Sequence, residues 1–146
     1  ISNRESLMST IAHELGHFLA GAPAYQYDPS MDRDKYIRTN TWIDLDGEAS
    51  ATIMELEVRQ EQLDKGEGDL GLTGVTAKEK KKLWQEHQAG SISKDELRVK
   101  LADLFAEKEV TSDTSLPYWE HYARSHADAW DRANPPVTPL PLPGPK

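Results

Sequence analysis

Cysteine is absent from the 146 residues, which excludes a disulfide framework, a thiolate metal ligand and a cysteine nucleophile. Any metal must therefore rest on His, Asp and Glu. No apolar run approaches the ~18 residues of a membrane span, and no signal peptide opens the chain. Hydrophobic residues are scarce, at 37% against about 45 to 50% in an average globular chain, so the core must be small. Basic residues are outnumbered: 17 Lys and Arg stand against 25 Asp and Glu, a net charge of -8. That charge repels phosphate backbones and points away from nucleic acid and anionic membranes. The chain also opens on Ile1 rather than on methionine, from which we expect the C-terminal piece of a longer polypeptide.

The length suits one domain, expected over 1–134. The remaining stretch, 135–146, holds six prolines and reads as an extended tail. Five segments have helical periodicity. The first runs from about Ser2 to Ala22, with Ser2 and Glu5 as a capping box and Gly21 and Pro23 as its stop. Residues 36–44 (YIRTNTWID) are rich in aromatic and β-branched side chains, a composition that suits a strand or small hairpin. A second helix is expected from near Gly47 to Lys65, followed by a mobile glycine-rich loop at 66–74. Thr76 with Glu79 and Ser93 with Glu96 start the third and fourth helices, joined at Gly90. The fifth begins near Pro117 and ends at Asn134 and Pro135. The expected fold class is mainly α: about five helices, with at most a small β element at 36–44.

His13-Glu14-Leu15-Gly16-His17 is an HExxH sequence. Residues four apart on a helix lie only about 40° apart, so both imidazoles can reach one metal ion. Glu14, about 100° from His13, can flank the metal and accept a proton from its water. With His13 at 0°, Leu7, Met8, Ile11, Leu15, Phe18 and Leu19 fall between roughly 120° and 240°. That arc is expected to be the buried back of the helix. Ser6, Ser9, Thr10, Gly16 and Ala20 line the histidine face and leave room for a substrate.

A catalytic zinc site normally has three protein ligands and an open position for water. The third ligand is expected from the second helix, where Glu48, Thr52, Glu55, Arg59 and Gln62 form a polar stripe between two apolar arcs. A carboxylate so placed needs a cation, which makes Glu48 the leading candidate. The simpler alternative is a first-turn glutamate facing the helix dipole. Asp44 and Asp46 are weaker competitors. Glu55 and Arg59, four apart, are expected to form an ion pair; Glu55 can instead accept from the N–H of a ligand histidine.

HELGH at 13–17 together with EASATIMEL at 48–56 resembles the gluzincin metallopeptidases, the second segment being similar to the glutamate-alanine helix of ImmA/IrrE-like peptidases. The resemblance covers roughly residues 5–60. It implies a minimal zincin-like fold in which His13, His17 and Glu48 hold Zn²⁺ and Glu14 is the general base for peptide-bond hydrolysis. The sheet that accompanies such helices is then absent, reduced to 36–44, or carried by chain before Ile1. The helical second half looks more like effector and toxin domains attached to type VI spikes or Rhs-type carriers. That implies export by a bacterial secretion system without a cleavable signal, a protein or peptide substrate and a cognate immunity protein. An ImmA/IrrE-like regulatory peptidase is the alternative within the family.

The donor for a developing oxyanion is left open among Tyr118, His121, Tyr122 and His126 of the fifth helix and Tyr25, Tyr27 and Tyr36 after the first. Trp119, Tyr122, His126 and Trp130 also suit a packing stripe. His87 and the run Lys78, Lys80, Lys81 and Lys82 read as solvated surface, with no aromatic interleaving for nucleic acid. A non-catalytic binding module remains a different class of reading, in which His121 or His126 closes the fourth position of a structural metal site.

Overall fold

The computed structural model describes residues 3–135 and contains five helices: α1 (Asn3–Ala20), α2 (Arg33–Asp64), α3 (Ala77–Gln88), α4 (Lys94–Glu107) and α5 (Tyr118–Ala133). The expected cap at Ser2 and the proline-rich stretch from Pro136 lie outside the described residues. Helix α2 is the axis of the fold, packed on α1, α4 and α5, while α3 leans on α4. Leu45, Ala49, Ile53 and Leu56 of α2 meet Leu97, Leu101, Ala102 and Phe105 of α4, with Trp84 of α3 and Leu72 closing the core. No described helix is long and apolar enough to cross a membrane.

The strand expected at 36–44 is not formed. These residues are the first turns of α2, which runs unbroken through Gly47. Asp32 caps it, its carboxylate accepting from Lys35 N at 2.8 Å. Strand propensity loses here because the burial is helical: Asn40, Thr41, Leu45, Glu48 and Ala49 are all buried, at spacings of three and four. Asn40 also brackets the peptide of Gln26, accepting from its N at 2.7 Å and donating to its O at 3.0 Å. Among the described residues the extended pairing is one isolated bridge, Val110 to Pro117.

Helix α1 is inverted relative to expectation. Leu7, Ile11, Leu15, Phe18 and Leu19 are exposed, Phe18 at 80%. The small and polar face, with Ser9, Ala12 and His13 buried, is the one laid on α2. A Cβ at Gly16 would stand 2.5 Å from Ala51 Cα, so glycine lets the two backbones touch. At that spacing large side chains cannot fit between the helices, and the apolar arc turns outward.

The glycine-rich stretch 66–74 is tied down: Leu70 and Leu72 are buried, Asp69 pairs with Arg59, and Thr73 bonds Glu55. The lysine run is not uniformly solvated either. Lys80 is fully buried, its Nζ 2.9 Å from both Glu109 Oε1 and Thr73 O, over the Phe105 ring. The Ser93 and Glu96 capping box forms as expected, whereas the Thr76 hydroxyl, bonded to Glu109, does not cap α3. His87 is half-buried beside Trp84 and meets Ile92 O at 3.1 Å, holding the turn between α3 and α4.

Candidate metal centre

Helices α1 and α2 run antiparallel, with Ser9 against Glu55, Gly16 against Ala51 and His17 against Glu48. That register carries both histidines onto the polar stripe of α2. His13 Nε2 lies 3.2 Å from His17 Nε2 and 3.2 Å from Glu48 Oε2, and His17 Nε2 lies 3.4 Å from the same oxygen. The three side chains form a group that can hold a metal ion, and among the described residues it is the only such group. Three lone-pair donors facing one another at these distances need a shared cation, whether proton or metal. Glu48 is in the middle of a 32-residue helix, so the helix dipole does not explain it.

The electrostatics agree. Burial pulls the His13 pKa down, but the carboxylates of Glu48 and Glu55 outweigh it and raise the pKa to about 9. Burial pushes the Glu48 carboxyl up; His13, His17 and Tyr122 prevail and bring it to about 2. The pocket is built around positive charge. Tyr122 Oη donates to Glu48 Oε1 at 2.5 Å, leaving Oε2 to face the histidines. Burial first, then the Glu48 charge, holds the Tyr122 hydroxyl well above the ordinary range and therefore protonated.

Behind His13, its Nδ1 lies 3.6 Å from Glu55 Oε2, just outside hydrogen-bond reach and with no other partner. Glu55 in turn accepts from the Ser9 hydroxyl, from Thr73 N at 2.5 Å and from the Thr73 hydroxyl at 3.0 Å. Burial pushes its carboxyl up, but the neighbouring His13, the Ser9 hydroxyl and the Thr73 backbone N–H hold it below the usual range. Glu55 therefore backs the histidine, and the ion pair expected with Arg59 is not formed. Buried Glu55 turns toward α1, while Arg59 makes a two-pronged contact with Asp69, both bonds at 2.6 Å. Ser9 and Thr73 are partners the sequence reading did not assign, because their role depends on α1 and the 66–74 stretch meeting over Glu55.

The remaining candidates are elsewhere. Glu14 is exposed between the two histidines, and its charge reaches Tyr118 on α5. Burial, followed by the charges of Glu48, Glu109, Asp113 and Glu14, pushes the Tyr118 hydroxyl up to about 12. Its ring packs on Phe105. His126 is buried against Asp44, Nε2 to Oδ2 at 2.6 Å, and Tyr25 donates to the other oxygen at 2.7 Å. Asp44 and His126 thus satisfy each other and stand apart from the His13, His17 and Glu48 group. Asp46 lies 3.2 Å from Arg98, and His121 stacks edge-on to Tyr122. Tyr27, Tyr36 and Trp130 cluster with one another at the far end of α2. Trp119 sits against Trp42.

The space expected in front of the histidines is partly filled, since Ser9 and Gly16 are pressed on α2. Room opens instead past His17, the more exposed of the two histidines, where a cleft of about 760 Å³ is bordered by Gly16, His17, Ala20, Gly47 and Tyr122.

No family model matches the chain, and no curated protein or solved structure matches it. The chemistry of the centre is therefore read from its own residues.

Proposed function

We propose that the protein is a zinc-dependent metallopeptidase in which His13, His17 and Glu48 hold the ion and Glu14 is the general base. The observation that carries this reading is the spacing of the three donor atoms, 3.2, 3.2 and 3.4 Å. Zinc bonds of about 2.0 to 2.1 Å put neighbouring donors of a tetrahedral site roughly 3.3 to 3.4 Å apart. The HELGH order supplies both histidines and a carboxylate between them on one helix.

Bound zinc would supply a Lewis acid for the scissile carbonyl and a water acidified toward about pH 7. Glu14 accepts a proton from the attacking water and returns it to the leaving amine as the C–N bond breaks. Tyr122 orients Glu48, and Glu55 draws on the Nδ1 side of His13, so both ligands are aimed by a carboxylate or hydroxyl behind them. The Tyr122 hydroxyl has a single proton and gives it to Glu48, so in this arrangement Tyr122 orients the ligand and does not donate to a developing oxyanion.

The alternative of a closed structural site is disfavoured by His126, which is committed to Asp44, and by the absence of a fourth His, Asp or Glu from the group among the described residues. The setting as a bacterial effector or toxin, or as a regulatory peptidase, rests on the sequence resemblance alone. Glu14→Ala is the decisive test: zinc content should stay at one per chain while peptide hydrolysis falls by at least 10²-fold. Undiminished hydrolysis in that variant excludes the base assignment. Glu48→Ala should lose tight zinc binding, and full occupancy there would exclude it as a ligand.

A further inference from the structure

Two glycines lie inside the helices that form the metal group, and the structure gives them opposite surroundings. Gly16 is demanded by contact with Ala51, whereas a Cβ at Gly47 would meet nothing within 4 Å. An interior helical glycine is destabilising relative to alanine and makes sense only with a compensating reason. Gly47 has no close packing to supply that reason. It adjoins the ligand Glu48 and borders the cleft that opens past His17.

The chemistry of that cleft is legible from its walls. Leu19, Pro23, Ile43, Ile53 and Met54 give it an apolar lining. Three of its carboxylates have close partners: Asp44 has His126 and Tyr25, Asp46 lies 3.2 Å from Arg98, and Glu57 holds Lys94 at 2.8 Å; Asp95, 3.9 Å from Arg98, is turned to solvent. A charged side chain entering the cleft would find the three closer carboxylates paired and would give up part of its hydration against the apolar wall. An apolar side chain meets neither cost.

We propose that the cleft beside His17 receives an uncharged, apolar side chain of the substrate next to the scissile bond, and that Gly47 is the specificity-determining residue that keeps it open. This rests on the metallopeptidase reading and adds the class of substrate residue.

Calorimetric titration of the zinc-loaded protein with hydroxamates tests it without relying on turnover. Acetohydroxamate, which has no side chain, reports the metal alone. The hydroxamates of N-acetyl-leucine, N-acetyl-aspartate and N-acetyl-lysine report the cleft. The leucine probe should bind about tenfold or more tighter than either charged probe. In Gly47→Leu, zinc stoichiometry and acetohydroxamate affinity should be unchanged while the leucine probe loses that advantage. Gly47→Ala, which adds one methyl and favours the helix, should fall between the two and raise the Tm. Equal binding of the three acylated probes, or an unchanged leucine affinity in Gly47→Leu, overturns the assignment of the cleft while leaving the metal centre standing. Failure of acetohydroxamate to bind the native zinc protein overturns the open metal site, and the cleft assignment with it.

Discussion

The Tyr122 hydroxyl on α5 donates to Glu48 Oε1 at 2.5 Å, while Glu48 Oε2 faces both histidines. One turn away the same two helices repeat the arrangement, with His126 against Asp44. The third helix of the site thus reaches the metal group through Glu48.

Tyr122→Phe keeps the ring and removes that bond. Loss of a partner that orients a ligand typically costs 10- to 100-fold in metal affinity. Competition titration against a zinc chelator should show a loss in that range with the fold intact by circular dichroism. An affinity equal to that of the native protein would mean that Glu48 needs no help in pointing at the histidines.

Gly16→Ala and Gly47→Ala should move stability in opposite directions. At Gly16 the new methyl has Ala51 Cα at 2.5 Å, so α1 must lift from α2, an overpacking that costs about 1 to 3 kcal/mol. At Gly47 the methyl enters open space and removes an unfavourable helical glycine, a gain of about 0.5 to 1 kcal/mol. Urea midpoints at constant m-value measure both. A common sign for the two would contradict the packing described here.

Zinc should stabilise the protein as a cross-link between α1 and α2. A ligand that binds the folded state alone adds about 2.7 kcal/mol at a concentration 100 times its Kd. The Tm should rise on zinc addition, return on chelation, and fail to respond in His13→Ala. A Tm indifferent to zinc in the native protein would count against the site.

Acid should act through Glu109 as well as through the metal group. Burial raises the Glu109 carboxyl, but the Thr76 hydroxyl, Lys80 and Val75 N bring it below its ordinary value of 4.5. A lowered folded pKa contributes stability that is present above 4.5 and is lost as the pH falls through the folded value. In metal-free protein, Glu109→Gln should therefore lower stability at pH 7 and flatten its decline below pH 4.5. Lys80→Met strands the buried carboxylate and should cost about 3 to 5 kcal/mol at pH 7. Parallel acid-denaturation curves for native and Glu109→Gln proteins would show that Glu109 carries none of this dependence.

What the sequence alone determined is local. HELGH puts two imidazoles and a carboxylate on one helix, the stripe through Glu48 and Glu55 marks the polar face of α2, and Ser93 with Glu96 starts α4. Each follows from residue spacing within one helix. Tertiary structure decided the rest. Periodicity locates the two faces of α1 but not which one meets α2; the answer depended on how closely the backbones approach at Gly16. Residues 36–44 have strand propensity, yet contacts with the chain around Gln26 and with α5 make them helix. Arg59 chose Asp69 over Glu55, and Lys80 was buried by Glu109, because those partners lie outside the helices that carry Arg59 and Lys80. Glu48 was legible as a carboxylate in need of a cation; that it faces two histidines, with Tyr122 behind it, depended on three helices packing in one register.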